Sequence, residues 1–593
     1  MEISPLSELR GKLADAGLDA FIIPQSDEHL SEFIAPDAQR LRWLTGFTGS
    51  AGIAAVTARR AAVVVDGRYT DQVGREVDRA LWSCEPDLAG WLLAQLSPGA
   101  RVGYDPWLHS ADAIAALKSR FAERRIAFVP VAANPVDALW QDRPQASRSP
   151  ILVWPEDRAG RSSADKRAAA AQLVADAGAD AMLISALDAL AWLFNIRGRD
   201  IPHVPVALMF ALLGSDGGAD IFVDPGKVTP ELVAHLGPSV RLHRRDDLEA
   251  HILGLGGRRI AVDRALTVDA LVTLLDRAGA AVVALRDPIT SWKAQKTPEE
   301  IAGHRAAQLL DGVALTRFLH WMALHAPFGE VDEIGAADRL GRFRAEAADF
   351  LDLSFTAISA TGPNAACPHY MPTAATNRRI GPDDIYLIDS GGQYVGGTTD
   401  VTRTMAIGAV DAEHRDRFTR VLKGHIALAM ARFPVGTRGG QLDGFARRHL
   451  WEAGLDYNHG TGHGVGASLS VHEGPARIAK PWPTAGGVDE PLCPGMILSN
   501  EPGYYKPDRY GIRIENLLLV VSLGDVGGDQ PCLGFETLTF APIDRRLIDV
   551  ALLTPDERAW VDAYHAEVLA RIGPALSDDV RDWLTEVSRP LAA

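Results

Sequence analysis

Two stretches of the chain share one order of apolar and polar positions. Residues 14–23 read ADAGLDAFII and residues 175–184 read ADAGADAMLI. In each, a helix-forming run ends on a glycine, Gly17 or Gly178, and a β-rich apolar run follows. Glycine there suits the left-handed cap that ends a helix. Each copy continues with a Trp-Leu pair, Trp43-Leu44 or Trp192-Leu193. An apolar strand closing on an acid comes next, VVVD at 63–66 and IFVD at 221–224. The copies lie about 160 residues apart, which is domain-sized, so the pattern predicts a duplicated α/β unit and not a solenoid.

Residues 131–150, with Pro144 and Pro150 among polar residues, read as a linker, and a second break falls near 286–296. The segment Thr297-Pro298-Glu299-Glu300 then carries three helix-start signals. Threonine can cap, proline suits the first helical position, and Glu300 can close a capping box. The expected helix covers 300–323. Beyond it, long helical stretches alternate with short strands. IYLID at 385–389 and TRTMAI at 402–407 read as strands joined by a turn in GGQYVGGTTD. Further expectations are a helix over 412–433, a strand over 513–521 and helices over 555–575 and 578–587. The apolar run 204–213 is half the roughly twenty residues of a membrane span, so it reads as a buried strand or strand pair. The implied domains are 1–140, 151–290 and 291–593.

Composition narrows the class. A chain of 593 residues exceeds one hydrophobic core. The formal charge of −16 argues against nucleic acid, whose phosphates need a basic face. Cys84, Cys367, Cys493 and Cys532 are scattered with no C-x-x-C pair, which fits neither a disulfide framework nor a thiolate zinc site. The first ten residues, MEISPLSELR, lack the basic and apolar regions of a signal peptide, so a cytoplasmic protein is expected, with no membrane partner.

Candidate chemistry lies in the last third. Asp389 and Asp400 stand near the ends of two predicted strands, where a hairpin would bring them together. Two close carboxylates repel unless one takes a proton or a cation lies between them. Turn-capping is the plainer reading of each acid. The run His459-Gly460-Thr461-Gly462-His463-Gly464-Val465-Gly466 is too rich in glycine for a helix and suggests close backbone approach. Without a Lys followed by Ser or Thr it is no phosphate loop. Glu501 precedes Pro502-Gly503, read as a turn, and Glu515 interrupts an apolar strand two residues after Arg513. A plain Arg513–Glu515 pair would explain that acid. Taken together, four carboxylates and one imidazole are too oxygen-rich for a closed zinc site, and they suit two divalent ions about 4 Å apart. His472-Glu473 continues Gly-Pro-Ala, so no HExxH zinc protease is present.

In order and context, Asp389, Asp400, His463, Glu501 and Glu515 resemble the ligand set of the pita-bread metallopeptidases. The words LIDSGGQYVGGTTDVTRT, NHGTGHGVG, VHEGP, SNEPGYY and GIRIEN resemble most the three-domain form of the aminopeptidase P (Xaa-Pro aminopeptidase) family. The resemblance runs over nearly the whole chain. It implies an α/β fold with two creatinase-like amino-terminal domains before a pita-bread catalytic domain. It also implies hydrolysis of an amino-terminal Xaa-Pro bond by hydroxide held between two metals, with manganese favoured over zinc or cobalt. Asp389 would hold one ion, His463 and Glu501 the other, and Asp400 and Glu515 would bridge. His369, His459 and His472 would act on substrate, Glu501 would also move a proton, and Arg513 would steady the carboxylates. A homodimer is a further implication. A prolidase, cutting dipeptides only, is the nearest enzyme alternative, and it lacks the doubled amino-terminal region. Creatinase is metal-free, and non-enzymatic relatives lose ligands, whereas all five are present here.

Overall fold

Gly17 and Gly178 both adopt left-handed backbone, with φ of 64° and 68°, in the computed structural model of the chain. The model describes residues 4–481 and 486–592. Residues 1–3, 482–485 and 593 lie outside the described residues, including the first three of the amino-terminal segment read above. The helices that these glycines end, Pro5–Asp15 and Ser163–Asp176, are capped alike by Ser4 and Ser162. Both close with the same paired bonds, Gly17 N to Ala14 O with Leu18 N to Leu13 O, and Gly178 N to Ala175 O with Ala179 N to Val174 O. That double closure satisfies the last carbonyls and turns the chain into a strand.

The chain forms two compact units, Met1–Ile289 and Thr290–Ala593. The first unit holds two six-stranded sheets. One runs Ser83–Glu85, Ala61–Val64, Ile53–Thr57, Ala20–Pro24, Arg101–Tyr104, Ala127–Pro130. The other runs Val240–Arg244, Ala219–Val223, Met209–Gly214, Ala181–Ile184, Arg259–Val262, Ala281–Ala284. Strand directions match position by position, with the second and third pairings antiparallel and the rest parallel. The repeated sequence pattern is therefore a repeated topology. The acids expected to close strands lie just past them: Asp66 accepts from Arg68 N and Asp224 from Gly226 N. The apolar run 204–213 gives one strand only from Met209, because Leu208 N is already bonded to the Asp200 carboxylate.

In the second unit, helix Pro298–His325 begins at Thr297 with a complete capping box. One of its buried polar positions is paired twice over: Asp311 takes both Arg344 Nε at 2.7 Å and Arg344 Nη2 at 3.0 Å. A buried pair of this kind is costly to break from one side. Strands Ile358–Thr361, Ile385–Ser390 and Val401–Ala406 form an antiparallel sheet with Asp389 opposite Thr402. The glycine-rich link between the last two is more than the expected turn. Its segments Gly392–Tyr394 and Gly397–Thr398 pair with each other, and Gly392–Tyr394 also pairs with Phe350–Leu353. A six-stranded antiparallel sheet runs Phe433–Pro434, Cys532–Thr537, Asn516–Gly524, Ile497–Asn500, Gly462–Gly464, Glu473–Ile478. The expected strand 513–521 is in fact two. Tyr510–Arg513 pairs with Gly503–Lys506, and Asn516–Gly524 joins the large sheet. Ile514 N and Glu515 N bond instead to Pro502 O and Thr402 O, which breaks the ladder between them. Glu501 and Pro502 likewise carry the chain from one sheet to another and make no tight turn. Helix Ala412–Ala429 stops short of 433 because Phe433–Pro434 enters the sheet, and helices Pro555–Ile572 and Asp578–Val587 close the chain.

Among the described residues no helix is long and apolar enough to cross a membrane. None of the four cysteines is in a disulfide: Cys367 is buried and the others half-buried. Burial pushes the Cys84 and Cys493 thiols up, against a nucleophilic role.

Gly303 of the long helix and Gly396 of the small hairpin meet backbone to backbone. A methyl on Gly303 would strike the Gly396 carbonyl, and one on Gly396 would lie 2.7 Å from Gly303 O. Gly303→Ala should therefore destabilise by about 2 kcal/mol, the usual cost of overpacking, read as a lower thermal midpoint. An unchanged midpoint would show that this contact yields freely.

Candidate metal centre

The site is assembled from backbone that alternates between sheets. Asp389 lies in the strand Ile385–Ser390, and Asp400 immediately precedes Val401–Ala406. His463 is the middle residue of Gly462–Gly464, where glycines are needed on both sides. A Cβ at Gly462 would collide with Ser499 O, and one at Gly464 with Glu473 O. Glu501 and Glu515 sit in the links that leave one sheet for another. Being between ladders frees their side chains to converge.

Asp400, His463 and Glu515 each offer a ligand atom, and these atoms lie within 4.8 Å of one another. His463 Nε2 is 3.5 Å from Asp400 Oδ2 and 3.5 Å from Glu501 Oε1. His463 Nδ1–H donates to Gly464 O at 2.9 Å, which would leave Nε2 to ligate a cation held among the acids. Asp389 Oδ2 accepts from Arg513 Nη2 at 2.6 Å. Asp389 Oδ1 is buried with no hydrogen-bond partner among the described residues. Burial pushes the Asp400 carboxyl well up, and the charges of Asp389 and Glu501 push it further. Burial does the same to Glu515, aided by Asp400, Asp389 and Glu501. Burial also raises Glu501, against the opposing charges of His463 and Arg513. Burial opposes the Arg513 charge, but Tyr505, Asp389, Glu501 and Glu515 overcome it and hold the guanidinium well above its ordinary value.

One guanidinium cannot balance four acids. Two carboxylates about 4 Å apart repel by roughly 4 kcal/mol at an effective dielectric constant near 20. Divalent cations fit the remaining charge, the orphaned Asp389 oxygen and the hard oxygen-rich donors.

The structure also brings His459, His472 and Arg513 to this cluster. His459 Nδ1 lies 2.7 Å from Gly460 O and 4.0 Å from Glu501 Oε2, and its Nε2 is 2.9 Å from the Tyr505 hydroxyl. The His472 ring stands edge-on to that of His463, centroids 4.3 Å apart. Arg513 bonds Asp389 and is not the plain partner of Glu515. His369 is half-buried in a loop after the turn Gly362–Ala366. That turn packs on the strand ending in Arg513, where a Cβ on Gly511 would collide with Ala365 O. Three supporting residues escaped the sequence reading. Thr402 Oγ1 donates to Glu515 Oε2 at 2.8 Å, Ser499 Oγ donates to Glu501 Oε1 at 3.1 Å, and Tyr505 links His459 to Arg513 Nη1 at 2.5 Å. All three lie within four residues of a ligand, and that proximity was the available signal.

The order of these parts along the chain matches known families. The Creatinase/Prolidase N-terminal domain matches residues 5–139 and, in a second form, 142–300. Metallopeptidase family M24 matches 302–522, and the C-terminal region of peptidase M24 matches 531–591. The chain belongs to metallopeptidase family M24. Over 99% of its length it is 39% identical to aminopeptidase P2 of Arabidopsis thaliana, covering 88% of that protein. The crystal structure of X-prolyl aminopeptidase from Caenorhabditis elegans, a cytosolic enzyme with a di-nuclear active site, is similar at a TM-score of 0.93 and 33% identity, covering 99% of both chains. Xaa-Pro dipeptidase from Bacillus anthracis shares the fold over 64% of this chain and 99% of its own, with a TM-score of 0.53 at 23% identity.

Two outcomes follow. Asp400→Ala should abolish peptidase activity while far-UV circular dichroism stays near native, and wild-type turnover would remove Asp400 from the centre. Metal-free protein should respond to pH through Asp400, Glu501 and Glu515, whose folded values lie above the ordinary 3.8 and 4.5. The folded state then holds more protons than the unfolded one, so stability falls as pH rises from the ordinary values through the raised ones. Buried histidines held below their ordinary value, such as His425, work the other way, so the test is the difference between chelator-treated wild type and Glu515→Gln. The denaturant midpoint of wild type relative to Glu515→Gln should fall between pH 4 and 8, and saturating manganese should raise wild type above the variant. A relative midpoint rising with pH without metal would refute the charge imbalance.

Proposed function

We propose that the chain is an Xaa-Pro aminopeptidase that removes the first residue of peptides with proline second. The observation that carries this is whole-length similarity to such enzymes, both amino-terminal sheets included, where the dipeptidase fold accounts for only 64% of the chain. The domains are taken as 1–140, 151–290 and 291–593.

Asp389 would hold one divalent ion, His463 and Glu501 a second, and Asp400 and Glu515 would contact both. When bound, such ions lower the pKa of water and polarise a substrate carbonyl. Manganese suits a set of four carboxylates and one imidazole. Glu501, steadied by Ser499, would take a proton from the attacking water and return it to the leaving nitrogen. His472, half-buried beside His463, would donate to the oxyanion that forms at the carbonyl. The neutral tautomer of His459, fixed between Gly460 O and Tyr505, and His369 in its loop would orient the peptide. Arg513 aims Asp389 by donating to its Oδ2. The bond before proline is a tertiary amide without N–H. Recognition must therefore come from the ring and the free amino group, for which this acidic centre is a natural anchor. The protein would act in the cytoplasm as a homodimer.

A peptide-length series tests the substrate reading. With manganese, Arg-Pro-Pro and longer Xaa-Pro peptides should be cut once, at the first bond, and peptides lacking proline second should be spared. Cleavage of dipeptides alone would make the chain a prolidase. Metal analysis of protein purified without added metal would identify the ion.

A further inference from the structure

Behind the ligands lies a second layer of buried polar residues that the chemistry above does not use. Its centre is Arg403. Along the strand Val401–Ala406, Thr402 and Thr404 turn toward Glu515 and Arg513, with Thr404 Oγ1 donating to Arg513 O at 2.9 Å. Arg403 points to the opposite face, as alternation requires. Its guanidinium is 2% exposed, yet each acceptor it reaches is a neutral oxygen. Nη1 donates to Thr402 O at 2.8 Å and Glu515 O at 2.7 Å, and Nε to Pro542 O at 3.2 Å. Nη2 faces Asn516 Oδ1 at 2.8 Å, Ala541 O at 2.9 Å and the Tyr564 hydroxyl at 2.8 Å.

The layer continues past Asn516. Asn516 Nδ2 donates to His425 Nε2 at 3.2 Å, and His425 Nδ1 donates to Asn500 O at 3.1 Å. Asn500 Nδ2 returns a bond to His425 O at 2.9 Å. These roles require a neutral imidazole, and burial together with the Arg403 charge pushes His425 down to about 3. The connected groups therefore include the backbone of Glu515, the residue after it, the residue before Glu501, and Thr402, two positions after Asp400. At the other end stands Tyr564, on the helix Pro555–Ile572 near the end of the chain.

We propose that Arg403 is a positioning residue for the metal centre, and that the carboxyl-terminal segment acts on the carboxylate ligands through it by way of Tyr564 and the backbone of 541–542. The guanidinium fork fixes the Thr402 and Glu515 carbonyls relative to each other, which sets the angle at which Glu515 and Asp400 face one another. Five N–H groups in one rigid plane are needed for this, and a lysine ammonium has only three donors at one point. The fold alone would not demand it: a buried cation without a carboxylate partner is costly, and apolar packing could join the same strands.

This inference rests on the metal centre proposed above, and its test reads metal binding directly. Wild type, Arg403→Lys and Tyr564→Phe are stripped with chelator and titrated with manganese in competition with a metal indicator, without peptide. Unfolding midpoints of the metal-free proteins are measured in parallel. Residues that orient ligands from behind change metal affinity by about 10- to 100-fold. Arg403→Lys should fall in that range and Tyr564→Phe near its lower end, each with a metal-free midpoint close to wild type. Activity should return at saturating manganese. If Arg403→Lys does not fold, Tyr564→Phe decides the matter. Wild-type affinity in Tyr564→Phe, or an affinity loss matched by an equal loss of metal-free stability, overturns the proposal. A wild type that binds manganese but cuts no Xaa-Pro peptide overturns the peptidase reading and leaves this one standing.

Discussion

Four carboxylates, three buried and Glu501 half-buried, gather around one imidazole and repel one another, and the architecture of the second unit follows from having to hold them there. Three of the acids have an anchor of their own: Asp389 has Arg513, Glu515 has Thr402, and Glu501 has Ser499. Glu515 is further pinned by its backbone, N–H to Thr402 O and carbonyl to Arg403. Arg513 takes one oxygen of Asp389 and leaves the other, Oδ1, without a hydrogen-bond partner among the described residues. The fold thereby stores a demand for positive charge that a single guanidinium does not meet.

That demand explains why the site is built at seams. Within a continuous strand, backbone ladders fix side chains at regular intervals and opposite faces. Glu501 and Glu515 escape that regularity because both occupy two-residue passages between sheets. The second passage exists because Pro502 O and Thr402 O draw the 514 and 515 amides out of line. Glycines let neighbouring backbones approach closely beside the site, Gly462 against Ser499 within one sheet and Gly511 against Ala365 of the turn Gly362–Ala366.

The duplicated unit and the capping box at Thr297 were readable in the sequence because each depends on local chemistry: a left-handed glycine and a threonine cap announce themselves. The four acids and the imidazole that the structure gathers were named on their hard donors taken together and on a resemblance, since each alone had a plainer reading. The break at Ile514 and Glu515 was not readable. Apolar RIENLLLVV has the pattern of one strand, and what divides it is the bond from Ile514 N to Pro502 O in the neighbouring link and that from Glu515 N to Thr402 O, more than a hundred positions away. Tyr505, Thr402 and Arg403 were hidden for the same reason. Their partners are distant in sequence, and a hydroxyl or guanidinium does not disclose what it will face. His369 remains tied to the site chiefly by the motif it stands in.

Tyr564 has a consequence for the order of events in synthesis. The last contacts behind Glu515 are made by residues 541, 542 and 564, whereas the first ligand is residue 389. A growing chain has all the proposed ligands before it has the residues that brace them. Completion of the centre therefore waits on residue 564, and retention of metal would distinguish molecules that include it from truncated ones that have every proposed ligand.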